Sequence, residues 1–170
     1  MDQKNLVNKA KNGDKDAFCA LYNSHKDKLY RYAYYRLGKA DDAEDAVSDT
    51  IVCAFERIST LRNANSFSSW IFKIHYSNCS KYIKSQIAQR ETVNIADLEN
   101  SNSFSQSISN DKTELSEALN QLKSDERELV LLAVVAGLNS KEIARITDLT
   151  SGSVRSKLSR SLAKMRNFLE

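Results

Sequence analysis

The stretch LKSDERELVLLAVVAGLNSKEIARITDLTSGSVRSKLSRSLAKMR, residues 122–166, decides the fold. It contains three helical patterns in a row. Ser124 or Asp125 opens the first, an apolar run that Gly137 ends, because glycine enters the left-handed conformation of a helix C-terminus without a Cβ clash. Asn139-Ser140 opens the second, Lys141 to Ile146, with Glu142 spaced to reach back to the Asn139 amide. Thr147-Asp148-Leu149 makes a tight turn, and Thr150 or Ser151 starts a last helix running to about Phe168. Ala144 is small where two helices must touch, Leu149 plugs the turn and Val154 faces inward. The second and third patterns therefore read as a helix-turn-helix.

The last helix carries the charge. From Thr150 to Leu169 there are five basic residues, Arg155, Lys157, Arg160, Lys164 and Arg166, and no acid. Ser151, Ser153, Ser156 and Ser159 stand beside them as short hydroxyl donors. Cations neutralise phosphates while side-chain donors reach base edges, so such a helix suits a DNA major groove. The plainer reading of the same residues is a basic, solvated helix face.

Outward from this stretch the composition stays helical. The 170 residues include no proline and four glycines, and 28% are charged. Sandwiches and barrels spend both residue types on turns, so their scarcity predicts an all-α fold. The net charge of +3 permits a nucleic-acid partner without requiring one. Its distribution is more telling. Residues 1–85 hold 14 Lys/Arg against 10 Asp/Glu, residues 86–121 hold 2 against 6, and residues 122–170 hold 9 against 6. Within the acidic middle lies NIADLENSNSFSQSISND, residues 94–111, rich in Ser and Asn with scattered apolar positions. The expected organisation is two small helical domains, residues 1–85 and 115–170, joined by a flexible linker over residues 86–114.

In the first domain Leu6, Ala10, Ala17, Phe18, Leu21 and Tyr22 precede a second helical pattern, Leu29, Tyr32, Ala33, Arg36 and Leu37, which stops at Gly38. Asp41 or Asp42 is expected to cap a third helix reaching about Ile58. Its stripe Ala43, Ala46, Val47, Thr50, Ile51, Ala54, Phe55 and Ile58 follows the 3.6-residue period. A loop near Arg62–Ser66 leads to a fourth helix carrying Phe67, Trp70, Ile71, Ile74 and Ile83.

Two faces of this domain are chemically marked. Between Ala40 and Glu56 there are six acids and no Lys or Arg, and Asp42, Asp45 and Asp49 share one helix face. The helix dipole accounts for acids at the start but not for Asp49 or Glu56. The stripe is either a solvated face or a surface for a basic protein partner. The segment Leu61–Lys84 mixes Trp70, Tyr76 and Tyr82 with Arg62, Lys73, Lys81 and Lys84, beside Asn63, Asn65 and Ser66. Aromatics among cations suit single-stranded nucleic acid; aromatics at helical spacing are more often core, and for Trp70 alone core packing is the better reading.

Other chemistries find no support. His25 and His75 have no nucleophile, phosphate loop or metal-ligand spacing around them, so no enzyme, cofactor or metal is expected. Cys19, Cys53 and Cys79 form no C-x-x-C pair and read as small buried hydrophobes. The N-terminus lacks a signal-peptide core, and Leu129 to Leu138 is too short to cross a bilayer, so a cytoplasmic protein without membrane insertion is expected.

With these stretches in place, the sequence resembles bacterial alternative sigma factors of the extracytoplasmic-function (ECF) group. DAEDAVSDTIVCAF, residues 42–55, is similar to the group's polymerase-clamp-binding helix. SFSSWIFKI, residues 66–74, is similar to the segment leading into its promoter-melting helix, and residues 122–166 to its C-terminal promoter-binding domain. The resemblance implies that Asp42, Asp45, Asp49 and Phe55 meet core RNA polymerase. It implies that Arg62, Asn63, Asn65, Ser66, Lys73, Tyr76, Ser77 and Lys81 handle an unpaired −10 element. It further implies that Ser151, Ser153, Arg155, Ser156, Lys157, Ser159 and Arg160 read a duplex −35 element, and that an anti-sigma factor regulates the protein. Three positions depart from the group's pattern: Tyr76-Ser77 replace a frequent Arg-Asn, Lys81 a frequent Asp, and Asp148 the common turn glycine. A helix-turn-helix activator or repressor acting without polymerase is the alternative reading, with a helical adaptor behind it.

Overall fold

The computed structural model describes residues 2–91 and 113–170, and every regular element in them is helical. Domain 1 comprises α1 (Gln3–Lys11), α2 (Lys15–Leu37), α3 (Ala40–Arg57) and α4 (Phe67–Glu91), with single 3-10 turns at Ile58–Thr60 and Ala64–Ser66. Domain 2 comprises α5 (Glu114–Asn120), α6 (Ser124–Val130, continued by a π-helical turn Leu131–Val135), α7 (Ser140–Thr147) and α8 (Ser151–Leu169). Of the segment read as a flexible linker, residues 92–112 lie outside the described residues.

Local chemistry sets most boundaries. Gly13 at φ 96° breaks α1 from α2, and the Asp14 carboxylate accepts the Ala17 amide at 3.0 Å to cap α2. From there α2 runs unbroken to Gly38 at φ 77°, so the two helical patterns expected between Ala17 and Leu37 are one helix. The expected cap on α3 is also corrected. The helix starts at Ala40 from Lys39, which offers no side-chain cap, and Asp41 and Asp42 lie inside its first turn. There they still favour the positive end of the helix dipole.

The linker boundary at residue 86 is corrected too. α4 continues to Glu91, and Gln86 Nε2 donates to Asp42 Oδ2 at 2.8 Å, tying the late turns of α4 to the start of α3. A tertiary contact of this kind leaves no mark in local composition.

The core of domain 1 is built from Val7, Phe18, Leu21, Leu29, Tyr32, Phe67, Ile71 and Phe72, where α2 packs on α3 and α4. Its helices are also joined by a buried polar link. His75 Nε2 bonds the Leu29 carbonyl at 2.8 Å and Nδ1 bonds Thr50 Oγ1 at 2.7 Å, so one ring joins α2, α3 and α4. A carbonyl only accepts, which fixes Nε2 as the protonated nitrogen. Burial pushes the His75 pKa down to about 4, so the ring stays neutral. His25 is also buried, between the Leu21 carbonyl and Ser68, and burial lowers its pKa. Of the three cysteines Cys79 alone is buried, its thiol pushed up to about 12 by burial; Cys19 is exposed and Cys53 half-buried, contrary to expectation.

Domain 2 closes over Leu119, Leu129, Leu132, Ile143 and Val154. Gly137 at φ 72° ends the α6 region as the sequence predicts, while the π turn before it has no signal in the sequence pattern. It is visible in the Ala136 amide reaching the Leu131 carbonyl at 3.1 Å, five residues back. At the next helix the Asn139 side chain accepts the Glu142 amide at 2.9 Å, and Glu142 accepts the Asn139 amide at 3.1 Å. Asp148 at φ 59° forms the left-handed turn, and Thr150 caps α8 through the Ser153 amide at 3.1 Å. The π turn packs on α2 and α7 packs on α4, so domain 2 is seated on domain 1.

Candidate nucleic-acid and partner interfaces

The acidic face of α3 is displayed, with its acids oriented from behind. Asp45 and Asp49 are exposed, and Tyr82 of α4 donates to Asp49 Oδ2 at 2.8 Å, as Gln86 does to Asp42. The Tyr82 phenol is held up to about 12, by desolvation first, then by its bond to Asp49 and the field of Asp45 and Asp42. Val52 and Phe55 continue the surface along α3 as exposed apolar side chains, 58% and 48% accessible. The Phe55 ring leans edge-on against Phe18 at 5.2 Å, which fixes its direction. A negative patch with an apolar end can seat a basic protein surface.

The expected single-strand site divides. Arg62, Asn63 and Asn65 are placed in the loop before α4, and Asn63 Oδ1 accepts the Asn65 amide at 3.0 Å, setting the turn that Ser66 completes. Lys73, Ser77 and Lys81 are exposed at i, i+4 and i+8, one stripe along α4. Tyr76 is not on that stripe. It is turned toward domain 2, where its ring lies under the Arg36 guanidinium at 4.4 Å and its hydroxyl reaches Glu128 Oε2 at 3.4 Å. Trp70 is partly buried with its ring centroid 5.9 Å from Phe67, so it serves the core at least in part.

On α8 the outward face is formed by Arg155, Ser156, Ser159 and Arg160, all exposed and lining one shallow cleft. Ser151, Ser153 and Lys157 are half-buried, and Lys157 pairs with Asp125 at 3.7 Å. The inner face is tied down at Glu126, which accepts Ser161 Oγ at 3.2 Å and Lys164 Nζ at 2.9 Å. Its bond to Lys164 leads in lowering the Glu126 pKa. The helix is held from behind while its cationic side stays open, as groove entry requires. Sequence reasoning missed an apolar groove of about 440 Å³ between α5, the π turn and α8, lined by Leu119, Val130, Leu131, Val134, Val135 and Leu162. Its one advance signal is the unbroken apolar run before Gly137, which holds more hydrophobic residues than one buried stripe uses.

An all-helical protein with a helix-turn-helix domain and separate acidic and cationic faces is of the DNA-binding transcription class. The chain matches the family described as Sigma-70 region 2 over residues 21–88 and that described as Sigma-70, region 4 over residues 112–165. It is 30% identical to the ECF RNA polymerase sigma factor BldN of Streptomyces coelicolor over 96% of this chain, and spans 64% of that protein's length. It is 28% identical to the RNA polymerase sigma factor SigV of Bacillus subtilis, over 93% of this chain and 94% of that one. The sigma factor RpoE of Bartonella quintana, solved with the anti-sigma factor NepR, shares the fold at a TM-score of 0.66 and 21% identity, over 89% of this chain and 96% of that one. The chain belongs to the ECF-type RNA polymerase sigma factors, which carry sigma-70 regions 2 and 4 and direct RNA polymerase in transcription initiation. Domain 1 holds region 2, and domain 2 holds region 4. The family is not enzymatic.

Proposed function

We propose that this chain binds core RNA polymerase through Asp42, Asp45, Asp49 and Phe55 of α3, and that it reads promoter DNA with two separate faces. The α8 face, Arg155, Ser156, Ser159 and Arg160 with Ser151, Ser153 and Lys157 at its edges, enters the major groove of a −35 element. Arg62, Asn63, Asn65 and Ser66 with the Lys73–Ser77–Lys81 stripe hold an unpaired −10 base, offsetting the few kcal/mol lost in unstacking and unpairing it. The supporting observation is the separation of charge: the acids of α3 stand exposed on one helix, and a cationic face without acids stands exposed on another. The protein works in the cytoplasm beside its polymerase; among the described residues no helix is long and apolar enough to cross a membrane. By analogy with the Bartonella relative solved with NepR, an anti-sigma factor is its regulator.

Co-elution with purified bacterial core RNA polymerase tests this directly. Asp45→Arg with Asp49→Arg should abolish co-elution and leave the circular dichroism spectrum intact, because both side chains are exposed. Normal binding by that variant would remove α3 from the polymerase interface. Tight, sequence-specific binding of duplex DNA by the free protein would favour a polymerase-independent regulator, since two small basic faces supply few phosphate contacts.

A further inference from the structure

Tyr82 and Gln86 lie four residues apart on one face of α4, and none of the proposed polymerase or promoter contacts uses either. Each meets a carboxylate of α3. The Tyr82 hydroxyl donates to Asp49 Oδ2 at 2.8 Å, and Gln86 Nε2 donates to Asp42 Oδ2 at 2.8 Å. Asn78, one turn earlier, donates from Nδ2 to Thr50 Oγ1 at 3.2 Å. Asn78, Tyr82 and Gln86 therefore form a row of donors at i, i+4 and i+8 that follows α3 backwards from Thr50 to Asp42. The row is anchored at its inner end, because Thr50 is fully buried and bonded to His75 Nδ1. Asp45 stands between the two held aspartates, and among the described residues no hydrogen-bond donor reaches it.

We propose that Tyr82 and Gln86 are positioning residues for the polymerase-binding face, holding Asp49 and Asp42 in the orientation in which a basic partner meets them. The inference rests on the reading of α3 given above, and two physical arguments support it. The first is order. A carboxylate free on a helix surface samples several rotamers, and binding must fix one of them. A donor from the neighbouring helix fixes it beforehand, so association loses less freedom. Each donor takes Oδ2 of its aspartate and leaves Oδ1 for a cation of the partner. The second is charge. A lysine or arginine at either position would orient the carboxylate equally well but cancel the charge on which the attraction depends. A phenol and a carboxamide orient it and leave the charge whole. Tyr82 donates throughout the physiological range, since its phenol is held up to about 12, by desolvation first and then by its bond to Asp49.

The location of the bonds separates them from ties that only join α3 to α4. A purely structural tie gains most where water is excluded, and the buried His75–Thr50 link occupies such a place in the same crossing. The Tyr82–Asp49 bond lies at the exposed rim, where water competes for both partners, so its net contribution to stability is small. What a bond supplies there is the orientation of a displayed group. Gln86 has a second use, since its Nε2 also lies 3.5 Å from the Leu37 carbonyl, a contact within the fold. Tyr82 is therefore the residue on which the assignment is tested first.

Titration of fluorescently labelled bacterial core RNA polymerase with the full chain provides the test, using Tyr82→Phe, which removes the hydroxyl and keeps the ring. Tyr82→Phe should weaken binding about fivefold, the loss expected when one more side chain must be ordered on association. Circular dichroism and thermal unfolding should stay unchanged. The salt dependence of binding should keep its slope, because no charge has been removed. A double-mutant cycle then separates positioning from a structural role. In an Asp49→Asn background, where the charge that Tyr82 orients is gone, Tyr82→Phe should lower affinity no further. A fivefold loss retained in that background would overturn the positioning role. Unchanged affinity of Tyr82→Phe, while Asp45→Arg with Asp49→Arg abolishes binding, would sink the inference and leave the reading of α3 standing. Normal binding by the charge-reversed variant would remove that reading and this inference with it. Gln86→Met should give a loss of similar size that disappears in an Asp42→Asn background.

Discussion

The two domains are stabilised by opposite strategies. Domain 1 relies on polar side chains buried at helix crossings: His75 against Leu29 and Thr50, and His25 against Leu21 and Ser68. Domain 2 relies on short-range capping, at Thr113, Asn139 and Thr150, around an apolar core. Its internal long-range polar knot is Glu126 with Ser161 and Lys164, and there the group is kept charged rather than neutral. The difference shows that a helix-turn-helix domain can be built from local signals, whereas the domain that displays the acidic face of α3 over α4 is registered by contacts across the chain.

The strongest way to separate the strategies is acid. Burial holds the His75 pKa at about 4, against 6.5 in the unfolded chain, so the unfolded state binds more protons between those values. Stability is therefore complete above about pH 6.5 and falls as pH drops toward 4. The loss is roughly 3 kcal/mol, since each tenfold change in proton affinity is worth about 1.36 kcal/mol. His25 is perturbed in the same direction and steepens the loss. Glu126 has the same sign in a lower window: its depressed pKa keeps its contribution whole above about 4.5, and that contribution is lost as pH falls from there through the folded-state value. Amide hydrogen exchange read domain by domain should show domain 1 loosening first as pH drops from 7 to about 4.5. His75→Leu should flatten that slope and destabilise domain 1 even at pH 7, since Thr50 loses a buried partner. Simultaneous loosening of both domains would end the contrast.

The same contrast explains what the sequence makes legible. Gly38, Gly137, the Asn139–Glu142 pair, the Asp148 turn and the Thr150 cap are readable because each signal and its consequence lie within four residues. The charged faces are readable because helical period assigns exposure. The His75 links span 25 and 46 residues and the Arg36–Glu128 pair spans 92, and no local pattern encodes a partner at such distance. Tyr76 shows the same limit: the sequence marks it as an aromatic among cations, and only the seating of domain 2 shows its ring against Arg36 and its hydroxyl toward Glu128. The break between the first two helices falls at Gly13 rather than after Tyr22, because Lys26, Asp27 and Lys28 interrupt the apolar pattern without ending the helix.

A smaller test addresses the caps of domain 2. Asn139→Ala removes the acceptor for the Glu142 amide at the entrance to α7 and should cost about 1 kcal/mol. Because the cap is local, the loss should appear in the exchange rates of α7 and α8 and spare α3. Spread of the effect into domain 1 would mean the two domains unfold as one unit through the packing of α7 on α4.

The smallest effect concerns Asp148, where the group's common glycine is missing. At φ 59° an L residue pays a steric penalty that aspartate reduces but does not remove, while glycine at this position has none. Asp148→Gly should therefore raise the stability of domain 2 by about 0.5 kcal/mol, the strain relieved being partly offset by the greater freedom of glycine in the unfolded chain. The substitution also deletes a charge whose field reaches Tyr76, whose phenol is held above its usual pKa by burial first, then by Glu128, and least by Asp148. Asp148→Asn distinguishes the two contributions, because asparagine tolerates the left-handed turn as aspartate does but carries no charge. Thermal unfolding that rises for Gly and not for Asn assigns the effect to backbone strain. An equal rise for both assigns it to the charge beside α4, and would place Asp148 among the residues that set how tightly domain 2 is seated.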